Sequence, residues 1–138
     1  MKNIQFHPEK CAACSACAIA CMDVHSFDPA QGGGPFRSAG EREKNGVFVQ
    51  FSTACIHCGA CIDACPHGCI TRDGATGFVL CDSANCTGCR TCLRACPLDA
   101  PKFDVLGKMH KCDGCISRVQ AGLEPACVRA CAPGALSF

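Results

Sequence analysis

The chain has 138 residues, enough for one domain or two small fused modules, and no apolar run approaches the roughly 18 residues that cross a bilayer. Thirteen basic and 12 acidic side chains give the bare chain +1, which leaves no basic excess for nucleic acid. Eighteen cysteines inflate the 49% hydrophobic fraction, and with eight Phe, no Trp and no Tyr the remaining core is thin, so metal–thiolate bonds are expected to replace part of it.

The chain opens on a short strand near Ile4-Gln5-Phe6. The first cysteine run follows, Cys11-x2-Cys14-x2-Cys17-x3-Cys21, with a helix expected over Ala16 to Met22. Residues 23–46 read as one long connecting loop: Gly32-Gly33-Gly34-Pro35 breaks regular structure, and Glu41-Arg42-Glu43-Lys44 is a mixed charge run. That loop is expected to cover the cysteine sites or to meet a partner. A strand is expected at Val47 to Phe51.

The second run is Cys55-x2-Cys58-x2-Cys61-x3-Cys65-Pro66, and the third, Cys86-x2-Cys89-x2-Cys92-x3-Cys96-Pro97, repeats it without a gap. Helices are expected over Ala60 to Ala64 and Thr91 to Ala95. Between the runs, Ile70-Thr71-Arg72 and Phe78-Val79-Leu80 flank a glycine-containing turn and predict a hairpin. Cys69 and Cys81 lie outside the runs and are expected to be small buried thiols of that hairpin. The fourth run is interrupted: Cys112-x2-Cys115-x11-Cys127-x3-Cys131. Its insertion predicts a helix from Ile116 to Ala121, stopped at Gly122, and another beginning near Pro125.

Sixteen cysteines in four such runs match the ligand count of four cubane 4Fe-4S clusters. Three thiolates on a C-x2-C-x2-C loop can wrap one cluster, with loop amides turned toward it. The fourth cysteine, after x3, has moved onto a helix and faces away; in ferredoxin-type runs it ligates the neighbouring cluster. Crossing the second and third runs gives one cluster to Cys55, Cys58, Cys61 and Cys96, and its neighbour to Cys86, Cys89, Cys92 and Cys65. By elimination the outer runs pair, giving Cys11, Cys14, Cys17 and Cys131 to one cluster and Cys112, Cys115, Cys127 and Cys21 to the other. All sixteen are then iron ligands.

A disulfide scaffold would not repeat x2-x2-x3 so tightly, and a zinc site would use two well-separated C-x2-C knuckles. Four clusters at about −2 each would carry the loaded protein to about −7, further from nucleic acid. His7, His25, His57, His67 and His110 lack ligand spacing and are expected to be surface or packing residues. No haem, dinucleotide or phosphate motif and no catalytic pairing of side chains is legible, so electron transfer without catalysis is expected.

The order of the runs resembles the iron–sulfur electron-transfer subunits of the dimethyl sulfoxide reductase superfamily, which occur with formate dehydrogenases, polysulfide and nitrite reductases, hydrogenases and tungsten enzymes. The likeness is carried by Glu9-Lys10-Cys11, by Lys111-Cys112-Asp113-Gly114-Cys115, by Gly122 to Cys127, and by Ala130-Cys131 with Gly134-Ala135-Leu136. It implies an α+β fold of two interleaved bacterial-ferredoxin-like modules with pseudo-twofold symmetry. The inner module would be about 47–101, the outer 1–25 plus 102–138, together one polyferredoxin domain over 1–138. It also implies a wire of clusters between a large molybdenum- or tungsten-pterin catalytic subunit and a second redox partner such as a ferredoxin or flavoprotein.

Relatives on membranes often continue past the last motif, whereas Phe138 follows it directly here, which argues against a membrane-anchor partner. The second run lacks the paired prolines of many relatives. All sixteen ligands stand, so four cubanes are expected rather than a three-iron variant. The first residues carry no export signal, so a cytoplasmic location is expected. A free polyferredoxin carrier and a structural zinc domain are the competing readings, and end-to-end self-assembly is a further arrangement open to such a chain.

Overall fold

The computed structural model describes residues 3–32 and 34–138. Its elements are short because the cysteine runs interrupt any long periodicity. Strand β1 (Gln5–Phe6) pairs antiparallel with β8 (Leu136–Ser137), which ties the two ends of the chain together. Helix α1 (Ala16–Val24) packs on α5 (Ala126–Ala130), and α2 (Ala60–Ala64) packs on α3 (Thr91–Ala95). Helix α4 (Ile116–Gln120) fills the insertion of the fourth run. Three further antiparallel pairs complete the α+β fold: β2 (Ser38–Lys44) with β3 (Val47–Thr53), β4 (Ile70–Arg72) with β5 (Val79–Cys81), and β6 (Lys102–Phe103) with β7 (Met109–His110).

Two apolar cores follow the two helix pairs, and cysteine contributes to both. Cys61, Cys69, Ile70, Val79, Cys92 and Met109 form one; Cys127, Val128 and Leu136, with Ile4, Phe6 and Phe138 against them, form the other. Phe78 bridges them, with its ring 5.0 Å from His57 and 6.2 Å from Phe138. Among the described residues no helix is long and apolar enough to cross a membrane.

The helices over Ala60–Ala64 and Thr91–Ala95 lie where the sequence predicts them. The segment expected as one loop over 23–46 differs: Ser38–Lys44 is a strand, joined to Val47–Thr53 through Asn45 and Gly46 at φ 53° and 79°. Two consecutive left-handed residues make the tight hairpin turn whose twist matches that of the strands. The charged residues Glu41 to Lys44 sit on an exposed strand, not in a coil. The second hairpin is offset by one residue: Arg72 faces Val79 and Ile70 faces Cys81, while Phe78 leaves the ladder to enter the core. Pro125 caps α5 from outside rather than opening its first turn.

Candidate metal centres

Each cysteine run uses the same backbone device. At its start, the amide two residues on donates to the first sulfur: Ala13 to Cys11 (3.4 Å), His57 to Cys55 (3.2 Å), Gly88 to Cys86 (3.4 Å) and Gly114 to Cys112 (3.3 Å). The donor residue is left-handed in every run, with φ between 56° and 76°. A second left-handed residue follows the second cysteine in three runs: Ser15, Gly59 and Arg90. Each of these caps the helix that carries the third cysteine of its run; the fourth lies within α1 as Cys21 and at the C-terminal ends of α2 and α3 as Cys65 and Cys96. In the interrupted run Cys115 itself takes this conformation and caps α4. Backbone turned left-handed at alternate positions aims its N–H groups into one concavity, a nest suited to an anion. Ala13, Ser15, His57, Arg90 and Cys115 hold this conformation without being glycine, at about 1–2 kcal/mol each.

The last cysteine of each run leaves its own loop. In three runs its sulfur accepts from the backbone four residues on: Cys65 from Cys69, Cys96 from Ala100 (3.3 Å) and Cys131 from Ala135 (3.2 Å). The Cys21 sulfur instead accepts from the backbone of Phe36 and Arg37, across the segment that ends in β2.

The side chains converge in crossed sets. One cavity is lined by Cys55, Cys58, Cys61 and Cys96. A second is lined by Cys65, Cys86, Cys89 and Cys92, and a third by Cys11, Cys14, Cys17 and Cys131. Of the remaining four, Cys21 on α1 and Cys127 on α5 lie on packed helices with Cys115 beside them, and Cys112 belongs to the same loop as Cys115. Burial pushes the Cys21 and Cys115 thiols up and Cys127 adds to the rise in both; burial pushes Cys112 up to about 12, and Arg37 opposes the rise at Cys21 and Cys112 alike. Four sulfurs around a common space with backbone donors turned inward suit a 4Fe-4S cluster, whose thiolates such donors stabilise.

Two buried cations strengthen the fit. Arg37 is 4% exposed and Lys111 6%. Among the described residues neither makes a salt bridge to a carboxylate, and Arg37 Nε has no hydrogen-bond partner. Uncompensated buried charge is strongly unfavourable, so the interior calls for an anion beside them. The sequence marks Lys111 only as part of the motif that opens the fourth run, and Arg37 not at all; the burial of neither is read from it.

Cys69 and Cys81 also line the second cavity. Both sulfurs donate to carbonyls, Cys69 to Asn85 (3.2 Å) and Cys81 to Met109 (3.7 Å), and burial, then Cys86, pushes the Cys81 thiol up to about 12. They stand as thiols of the hairpin beside the four-sulfur set. His57 is buried within the core: its Nδ1 accepts from the Val79 amide at 3.0 Å, and burial, then Lys111, lowers its pKa to about 4. It is therefore a neutral packing residue. His7 pairs with Ser137, His110 with Asp104 at 2.8 Å, and His25 meets Phe36 edge-to-face. His67 is exposed. His25, Asp113 and Cys115 offer ligand atoms within 4.8 Å of one another, but Cys115 also lies beside Cys127 and Cys21.

Residues 46–138 match the 4Fe-4S dicluster domain, and a second match to a 4Fe-4S dicluster domain spans 3–66. The chain is 38% identical to the B subunit of the anaerobic dimethyl sulfoxide reductase of Haemophilus influenzae, over 96% of this chain and 71% of that subunit. It is 31% identical to the iron-sulfur subunit of the nitrate-inducible formate dehydrogenase of Escherichia coli, over 93% of this chain and 50% of that one. It is 30% identical to the hydrogenase-2 operon protein HybA of Escherichia coli O157:H7, over 93% of this chain and 48% of that one.

Proposed function

Because the chain belongs to the iron–sulfur electron-transfer subunits built on 4Fe-4S dicluster domains, we propose that its sixteen run cysteines hold four clusters in crossed quartets and pass electrons between two protein partners. The observation that carries this reading is the grouping of the sulfurs: three cavities each hold three cysteines of one run and the last cysteine of another. The pairing of α1 with α5 and of α2 with α3 supports two interleaved ferredoxin-like modules about a pseudo-twofold.

Neighbouring sulfurs and side chains support one order along the wire. Cys61 faces Cys92, which joins the two inner quartets. Lys111 lines the cavity of Cys55 and donates to the Cys112 carbonyl, which supports joining the inner pair to the quartet of Cys112. Cys17 and Cys21 share α1, which joins the last. The quartet of Cys86 and the quartet of Cys11 are then the two ends; each offers an exposed cysteine, Cys89 and Cys14, as the quartet of Cys55 also does in Cys58. When bound, each cluster supplies a one-electron couple. The residues of the chain hold it, donate backbone N–H groups to its thiolates and exclude water from its inner side.

Relatives named as parts of dimethyl sulfoxide reductase and formate dehydrogenase support a large molybdenum- or tungsten-pterin catalytic subunit as one partner. The other is a second redox protein such as a ferredoxin or flavoprotein, and the chain itself performs no catalysis. Cluster loading needs reduced cysteines, and a reducing cytoplasm suits that. Anaerobic purification of the native assembly with metal analysis tests the reading. Co-purification with a large subunit carrying molybdenum or tungsten is expected. A holoprotein that migrates alone would make it a free carrier instead.

A further inference from the structure

Lys111 and Arg37 lie at the two junctions on either side of one quartet. The Lys111 ammonium donates to the Val79 and Cys112 carbonyls, and its side chain lines the cavity of Cys55, Cys58, Cys61 and Cys96. It therefore stands between that cavity and Cys112. Arg37 donates through Nη1 to Ser52 Oγ at 3.0 Å, and that hydroxyl lies 3.5 Å from Cys17 Sγ. The backbone of Arg37 meanwhile donates to Cys21. It therefore stands between the quartet of Cys11 and the quartet of Cys21. Both side chains are buried and, among the described residues, neither has a carboxylate partner.

We infer that Arg37 and Lys111 are the internal counter-cations of the cluster bound by Cys21, Cys112, Cys115 and Cys127, one on each side, and that they raise its reduction potential. The inference rests on the four-cluster reading. Reduction adds one negative charge to a cluster, so a fixed cation in a low-dielectric interior favours the reduced form, and the effect is weakly screened where water is excluded. Each cation also reaches one neighbour: Lys111 the quartet of Cys55, Arg37 the quartet of Cys11. The quartet of Cys86 borders neither.

The test is a redox titration followed by paramagnetic resonance on anaerobically purified holoprotein, with iron content measured for every sample. Lys111→Gln and Arg37→Gln are compared with the charge-conserving Lys111→Arg and Arg37→Lys, and with Lys44→Gln on the exposed hairpin. Each neutral variant is expected to make reduction of the flanked cluster at least tenfold less favourable, about 59 mV for one electron. The quartet of Cys86 and the Lys44→Gln protein should be unchanged, and the charge-conserving variants should recover most of the shift. Loss of the flanked cluster in the neutral variants alone, with retention in Lys111→Arg and Arg37→Lys, likewise supports the counter-cation role.

Full iron content with all potentials unmoved overturns the inference. So does an equal shift, or an equal loss of iron, in the charge-conserving and neutral variants, since packing would then be the cause. A wild-type protein with far fewer than about sixteen irons would instead overturn the four-cluster reading beneath it.

Discussion

At the scale of single residues, the proposed crossed assignment turns on the last cysteine of each run. Cys65 sits at the end of α2, and its sulfur lines the cavity of Cys86, Cys89 and Cys92 rather than that of its own run. Cys65→Ser is therefore expected to give the same altered resonance signal as Cys86→Ser, not that of Cys55→Ser. A match to Cys55→Ser would refute the crossed assignment. Backbone conformation makes a second residue-scale prediction. Gly88 lies at φ +76°, and a methyl added there would stand 2.7 Å from the Gly107 carbonyl oxygen. Gly88→Ala is expected to cost about 1–3 kcal/mol and to lower the temperature at which iron is released. Gly122→Ala, at φ +80° with nothing within 4 Å of the added methyl, should lose only about 1 kcal/mol. Equal losses in the two variants would remove the close approach as the cause. Ser52→Ala adds a third case: it strips Arg37 Nη1 of its hydroxyl acceptor inside the protein, which should cost about 1–3 kcal/mol by thermal unfolding of the holoprotein.

At the scale of elements, the cysteine runs were the most legible part of the chain. Spacing of three and four residues sets sulfur direction, and a helix can begin only after the loop has closed, so Ala60–Ala64 and Thr91–Ala95 could be read residue for residue. The hairpin of β2 and β3 was half legible. Val47 to Phe51 announced one strand through its apolar and β-branched residues, but Ser38 to Lys44 carries small and charged residues of low strand propensity. The signal that existed was Asn45-Gly46, a turn pair with a defined twist. The strand forms because its partner fixes it in register along seven pairs, from Ser38 with Thr53 to Lys44 with Val47. Strands of two residues, such as Lys102–Phe103 with Met109–His110, leave no periodicity to read. Arg37 and Lys111 stayed hidden for a related reason. Their burial comes from chain segments far apart in sequence, and a lone cation beside a run reads as solvated until those segments close over it.

At the scale of the whole molecule, sulfur replaces hydrocarbon. Cysteines make up half of one apolar core, and the largest fully buried side chains are only Phe78, Met109, Val79 and Pro125. Thiols packed around common spaces, with two unpaired cations among them, hold together poorly unless an anionic cluster fills each space. The chain stripped of iron is therefore expected to lose cooperative unfolding by calorimetry and circular dichroism. A cooperative melt of the iron-free protein would mean that the apolar cores suffice on their own. The central claim is that four crossed quartets each hold a 4Fe-4S cluster. It is tested most directly by iron and acid-labile sulfide analysis of anaerobically prepared protein, together with paramagnetic resonance after dithionite reduction. About sixteen irons and sixteen sulfides per chain with interacting low-temperature signals are predicted; a stoichiometry near eight, or a protein silent after reduction, would contradict it.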